Sequence, residues 1–495
     1  MAKQPKANKK LNIASTKLRN RLFLITALAF LIKLSIISRI QGFDWYAAGN
    51  GNVVNGLTVL LDKNYIPAHA WYGADGENYI RGLWGLAKDG FYSTEGKLSY
   101  WPAGYPLLLW PLLMVFKGSF FGAVAVIQSL LYAFACAFFF EEFRQTRLVK
   151  FAIPVALLLT FNPTLALNTI AIGYELPTVA LSLISTAAMM RAFRKNQKTI
   201  VSLEWLIASL AFLLATFMQP RLILIAFAVL AIWAVAQYKI SIAVPVLIAS
   251  IVIVAIAPAT MILRNKEANG YASISTNLGT TMGIGAGPDA TGGYNGKYNG
   301  VPCPEAEGES NPAKADSAKV RCILKWYVQN PGSSIKLFWN KARFFWSPWF
   351  GPEANGTMAR NPWRINHPLT ETVKTESGKA MVYGNFGKLV SWIWMLGTLL
   401  LLLYGFRILW QSGGIERLIG IVALSTVTVN WLSSILTIGD HRFRIPSMGM
   451  SLILQGIGFA ALFIRERKRL TGSSAEVTWP GLRWKQNRQT DNLPS

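Results

Sequence analysis

Apolar residues run along this chain in long blocks. They occupy Leu22–Ile40, Phe120–Phe140, Phe151–Thr169, Leu176–Met190, Leu203–Met218, Leu222–Ala236, Ile240–Leu263, Lys388–Leu409, Leu418–Ile438 and Ile445–Ile464. Uncharged stretches of about 17 to 22 residues recur, the length a helix needs to cross a hydrocarbon core of about 30 Å. The pattern predicts an all-α polytopic membrane protein with about ten transmembrane helices. One further run, Pro102–Phe116, is short and holds three prolines. A segment of that kind suits a broken or re-entrant piece lining a cavity.

Two long polar stretches divide the runs, Gln41–Lys117 and Arg264–Gly387. In the first, Tyr79, Leu83 and Leu86 recur at helical spacing within Gly73–Ser93, which predicts an amphipathic helix lying on the membrane surface. The second begins Gly-rich at Gly283–Gly300 and becomes amphipathic near Val320–Pro331 and Ile335–Phe345. Its aromatic cluster Phe344–Phe350 suits an interfacial belt. The chain thus divides into a basic tail (1–21), a seven-helix module (22–263, with outer loop 41–117), a second outer loop (264–387), three last helices (388–464) and a C-terminal tail (465–495).

Composition agrees with this reading. Of the 495 residues 52% are hydrophobic and 15% charged, against roughly 25% charged in a soluble domain. The net charge of +25 would suit a nucleic-acid partner, but the cations sit in short segments beside apolar runs rather than on one solvated face. That distribution is the positive-inside bias of membrane proteins. The tail Met1–Arg21 has seven Lys or Arg and no acid. If Pro102–Phe116 does not cross, then the tail, Arg144/Arg147/Lys150, Arg191–Lys198 and Arg465–Arg469 all fall on the cytoplasmic side, and both large loops face outward. Cys136 lies in an apolar run, where packing is its expected role. Cys303 and Cys322 share the second loop, and a disulfide there requires an oxidising compartment.

Ionisable groups at a membrane edge are costly and therefore candidates for function. Asp44, Asp75, Glu77, Glu175, Arg221, Arg264, Asp440, His441, Arg442 and Arg444 all fall at the outer edge in this topology. A carboxylate there could act as general base towards a hydroxyl, and arginines could hold a phosphate through paired donors. Each also has a plainer role: Asp75 as a helix cap, Glu175 as an ion-pair partner, Arg264 and Arg442 as headgroup anchors. Asp75-Gly-Glu77 could bind a divalent cation, although two carboxylates alone are a weak ligand set. His69, His367 and His441 lack metal-ligand spacing, and Gly283–Gly287 lacks the pattern of a phosphate loop.

Several motifs, in order, resemble the GT-C glycosyltransferases, more narrowly bacterial members related to dolichyl-phosphate-mannose protein mannosyltransferases and the lipid A aminoarabinose transferase. These are Asp75…Tyr79 with Leu86…Gly90-Phe91-Tyr92, Pro102-Ala-Gly-Tyr105-Pro-Leu107, Ala257-Pro258 before Arg264-Asn265, and Ile274-Ser275 with Gly285…Ala290-Thr-Gly-Gly-Tyr294. Asn330-Pro-Gly332 with Lys341 and Phe345-Trp346, and His441-Arg442-Phe443-Arg444-Ile445-Pro446, complete the series. The resemblance implies a GT-C-like fold and transfer of a sugar from a polyprenyl-phosphate donor to a hydroxyl of a glycan, lipid or protein acceptor, with inversion. It implies an acidic base in the first loop, Asp75 by motif context or Asp44 by distance from the first helix. Arg264, Arg442 and Arg444, and more weakly Lys341, would stabilise the leaving phosphate. Glu77, Tyr79, Tyr105, Glu175 and Arg221 complete the expected substrate-binding set. No cofactor is implied beyond the cation considered above. The expected setting is a bacterial inner membrane with the site on the periplasmic face. The competing classes are a lipid or lipid-linked-sugar transporter, a non-catalytic binder of lipid-linked sugar, and an oligosaccharide polymerase or ligase. Transporters often carry matching internal halves and mid-membrane charges, and neither is visible here.

Overall fold

A computed structural model of the chain describes residues 74–117, 120–162, 172–195, 202–293, 300–346 and 384–464, with single positions at 20–21, 23–24, 27, 165 and 168. Most of the run Leu22–Ile40, Asp44, most of both tails, His69, His367 and residues 347–350 of the aromatic cluster lie outside the described residues.

Every regular element among the described residues is a helix. The first loop holds α1 (Ala74–Asp89), α2 (Lys97–Tyr100) and α3 (Gly104–Phe116). The next group is α4 (Phe120–Phe143), α5 (Ala152–Phe161), α6 (Glu175–Arg194), α7 (Leu203–Met218), α8 (Ile223–Gln237) and α9 (Ile240–Asn269). The second loop folds as α10 (Leu278–Ile284), α11 (Pro304–Glu307), α12 (Pro312–Gln329) and α13 (Pro331–Trp346). The last three are α14 (Gly384–Ser412), α15 (Gly414–Leu436) and α16 (Ile445–Phe463).

Seven segments among the described residues are long and apolar enough to cross a membrane, one each in α4, α6, α8, α9, α14, α15 and α16. The chain is an integral membrane protein of the all-α class. Two of the expected spans are shorter. Phe151–Thr169 is helical from Val149 to Phe161, and α7 has 16 residues, roughly 24 Å at 1.5 Å per residue. Even so, α7 joins the two ends of the bundle: Glu204 at its start meets Lys195, and Pro220-Arg221 follows its finish.

α6 is the central helix. It packs on α4, α7, α15 and α16, and 89% of its span is buried, against 28% in α9 and in α14. Its sequence permits this position. Ala180, Ala187 and Ala188 let neighbouring backbones approach. The hydroxyls of Thr178 and Thr186 return hydrogen bonds to the carbonyls of Glu175 and Ser182, so these two donors are satisfied within the helix. α9 instead exposes Val244, Ile248, Val252 and Ile256, four residues apart, as a lipid-facing stripe. α14 and α16 cross at Gly405 and Gly458, where a Cβ would collide with the carbonyls of Leu454 and Leu401.

The bundle has two chemically distinct ends. At one, basic residues meet buried carboxylates. Glu142 takes Arg191 at 2.8 Å and Arg194 at 2.6 Å, Glu204 takes Lys195 at 2.6 Å, and Glu141 takes Arg144 at 2.6 Å. Glu416 accepts the Arg147 amide at 2.7 Å. At the other end lie the loops. α3 is a 13-residue helix containing Pro111, about 20 Å long and too short to cross. It starts against Phe217 near the finish of α7 and leads directly into α4, so it begins and ends on the loop side.

Two expectations of membrane contact give way to protein contact. The apolar face of α1 does not lie on lipid: Tyr79, Ile80, Leu83 and Leu86 are buried, and α1 packs on α3. A proline-rich helix that does not cross is available to cover that face. Likewise Phe344, Phe345 and Trp346 are buried, and α13 packs on α15 rather than forming an interfacial belt. In the second loop Cys303 and Cys322 form a disulfide, and Asp316 accepts the Gly279 amide at the start of α10. Cys136 is a free, buried core residue.

Candidate functional site

The loop end brings together residues that are hundreds of positions apart. α6 starts at Glu175, which places an acid in its first turn, where the helix dipole favours negative charge. Glu175 Oε1 accepts from Arg442 Nε at 2.6 Å, and both side chains are buried (1% and 3% exposed). Arg442 belongs to a 3₁₀ turn, His441–Arg444, that precedes α16. Asp440 caps this turn by accepting the Arg442 amide at 2.8 Å, and Pro446 then sets the first turn of α16. Asn430 of α15 holds the same turn by donating to the Phe443 carbonyl at 2.7 Å and to Ser447 Oγ at 2.9 Å.

Arg221 stands opposite. Gln219-Pro220 ends α7 and opens the 3₁₀ turn Pro220–Leu222 that carries it. Its guanidinium stacks on the Phe443 ring at 4.4 Å, and Tyr174, Arg442, Glu175 and Tyr79 lie within electrostatic reach. Its Nε and Nη2 are buried with no hydrogen-bond partner among the described residues. Leaving a buried charged donor unsatisfied is costly. Arg444 is buried and lies over the Trp346 ring at 6.0 Å.

Tyrosines line the side that faces the first loop. Tyr105 of α3 accepts the Gly173 amide at 3.0 Å, and the Tyr79 and Tyr105 rings meet edge to face at 5.2 Å. Asp75 and Glu77 stand in the first turn of α1, with Asp75 one turn before Tyr79. Asp44 lies outside the described residues.

Two expected phosphate ligands are committed elsewhere. Arg264 donates to the carbonyls of Phe91 (3.1 Å), Leu98 (3.3 Å) and Ser93, and to Asn265 Oδ1 (2.7 Å). It ties the α1–α2 turn to the end of α9, because a fully buried guanidinium needs acceptors and the loop carbonyls supply them. Lys341 is also fully buried. Its ammonium donates to Tyr327 Oη at 2.8 Å and to the Thr437 carbonyl at 2.7 Å. It thereby locks the second loop to the strand of chain that leads into Arg442. Burial without a carboxylate partner pushes its pKa down to about 7.

The arrangement offers a guanidinium with two buried nitrogens that have no hydrogen-bond partner among the described residues, a second arginine paired with an acid, and a third over an aromatic ring. All sit where a membrane-embedded helix end meets a folded loop. Such a set can hold an anion at the bilayer edge. Among the described residues no group of three or more His, Cys, Asp or Glu is arranged to hold a metal ion.

Tyr174, Phe443, Asn430 and Thr437 belong to this constellation and were not among the expected site residues. Phe443 carried a signal through the motif His441–Pro446, and Asn430 as a lone amide inside an apolar run. No protein-family model matches the chain, and no curated protein or solved structure matches it either.

Proposed function

We propose that this protein is an integral-membrane glycosyltransferase that moves a sugar from a polyprenyl-phosphate donor to an acceptor hydroxyl at the outer membrane face. The observation that carries the reading is Arg221: a guanidinium with two buried nitrogens that have no hydrogen-bond partner among the described residues, beside Arg442 and Glu175 at the ends of candidate spans. A lipid phosphate entering from the membrane would supply the missing acceptors, in the bidentate geometry that guanidinium favours. Asp75 is the proposed base. It stands in the first turn of α1, one turn before Tyr79, whose phenol lies within electrostatic reach of Arg221. The acceptor oxygen attacks the anomeric carbon as its proton passes to the carboxylate, and the polyprenyl phosphate leaves with the bonding electron pair. Phosphate needs charge stabilisation more than protonation, which is the task assigned to Arg221, Arg442 and Arg444.

The ordered motifs from Asp75 to Pro446 that resemble GT-C enzymes support the same reading. So does a disulfide in the second loop, which fits an oxidising, extracytoplasmic side, and a basic opposite end, which fits the cytoplasmic side. A bacterial inner membrane with a periplasmic site is the proposed setting.

The test is binding of polyprenyl phosphate to the full chain in nanodiscs, wild type against Arg221→Ala. The reading predicts binding that weakens by about tenfold or more, equivalent to the roughly 1.5–3 kcal/mol of a charged hydrogen bond. Equal affinity of the two proteins would remove Arg221 from the site.

A further inference from the structure

A second cleft lies in the folded part of the second loop. It measures about 690 Å³, within the size range of small-ligand sites, and Arg221, Arg442 and Arg444 are not among its lining residues. One wall is a stripe of α12: Lys314, Ser317, Ala318 and Arg321, spaced so that all four share a helix face. Asp316, Ile323 and Tyr327 are buried, and α12 packs on α10, so the cleft stripe is the polar remainder of an amphipathic helix. The facing wall carries Glu305 and Glu309, and Tyr271 closes the third side from just beyond the end of α9. The Cys303–Cys322 disulfide joins the two walls, and Cys303, Ala306 and Ala318 pack together beneath them. The cleft is therefore preformed.

The chemistry of the lining selects a class of ligand. Two carboxylates face two cations, so the cleft has no net charge to favour an anion or a cation. Glu305 pairs with Arg321 at 3.7 Å, Glu309 accepts the Asn311 amide, Asn311 Oδ1 caps α12 and the Ser317 hydroxyl donates to the Ala313 carbonyl, so the lining is fixed by its own contacts. The remaining lone pairs of the carboxylates and of Ser317, and the Asn311 side-chain NH2, are what it offers to vicinal hydroxyls. Tyr271 supplies one ring on which the apolar face of a sugar can stack. Tyr271 also lies within electrostatic reach of Arg264, which holds the first-loop turn through Phe91, Ser93 and Leu98. The cleft thus adjoins the α1–α2 turn, at the other end from Asp75 of the helix α1, which is about 24 Å long.

We propose that this cleft binds a neutral, polyhydroxylated glycan. Under the transferase reading, on which this part rests, it is the remote subsite of a glycan acceptor whose reactive hydroxyl reaches the first loop. Binding itself requires no turnover.

The experiment uses the full chain in nanodiscs and saturation-transfer NMR, with maltotriose, chitotriose and mannotriose as neutral probes and trigalacturonate as the acidic probe. At least one neutral trisaccharide should bind. Its affinity should persist in Tyr271→Phe and fall about tenfold or more in Tyr271→Ala, as expected for loss of a stacked ring and its buried surface. Ser317→Trp, which fills the cleft, should abolish binding while leaving the disulfide and thermal stability intact. No neutral binding, equal binding by Tyr271→Ala and Ser317→Trp, or preference for trigalacturonate would each overturn the assignment. Release of polyprenyl phosphate measured on the same samples separates the two readings. Trisaccharide binding without release sustains the cleft and refutes the transferase, and release without trisaccharide binding does the reverse.

Discussion

The Arg442–Glu175 pair gives the sharpest structural prediction. Both side chains are buried, and the contact is 2.6 Å. Replacing Arg442 with Met takes this cation from the buried carboxylate at the start of α6, and replacing Glu175 with Gln takes this anion from Arg442 beside Arg221. Removing one partner of a buried pair typically costs about 3–5 kcal/mol, because the remaining charge is stranded. Removing both leaves no stranded charge, so the double variant should lose less than the sum of the two single losses. A coupling of about 0.5–3 kcal/mol is expected for contacting residues. The assay is reversible unfolding of the four proteins in one detergent or bicelle, analysed as a double-mutant cycle. Strict additivity would refute the pairing. So would single losses below about 0.5 kcal/mol, the range of ordinary surface substitutions.

Two further perturbations test the second loop. Cys303→Ser removes a disulfide that links residues 19 apart in sequence, and it should cost about 3 kcal/mol of loop stability, visible as faster proteolysis within the loop. Lys341 has a depressed pKa of about 7 against an ordinary 10.5, so between those values the unfolded chain binds more protons than the folded one. Stability should therefore rise with pH across that window, and be lowest below about pH 7, where the buried amine must be charged. Lys341→Met should flatten this slope; a variant with the same pH dependence as wild type would show that the lysine is not its source.

Much of the fold was legible because membrane helices declare themselves by length and lack of charge. The apolar runs from Phe120 onward appear as helices over their described residues, that of Phe151–Thr169 as far as Phe161. Their depth in the bundle was not legible: α6 and α9 are both apolar, yet one is central and the other faces lipid. The small and hydroxyl residues of α6 were the available clue. The helical period of α1 was also legible, but a period shows which face is buried and not what buries it. Membrane was expected, and α3 is there instead. The same limit applies to the arginines. Arg221 and Arg264 look alike in sequence, each at a helix end beside the outer face. Only their surroundings distinguish a guanidinium satisfied by four acceptors from one with two unpartnered nitrogens. The Glu175–Arg442 contact joins residues 267 positions apart, a pairing that no local pattern encodes.

The central claim is sugar transfer with Asp75 as the base, and one measurement addresses it directly. Purified protein in lipid is supplied with a panel of polyprenyl-phosphate sugars and a membrane extract as acceptor source, and release of polyprenyl phosphate is followed for wild type and Asp75→Asn. The account predicts release by wild type from at least one donor and none above background by Asp75→Asn, with both proteins equally folded. Undiminished release by Asp75→Asn would move the base elsewhere, with Asp44 next in line. No release by folded wild type from any donor would contradict the transferase account and favour a transporter.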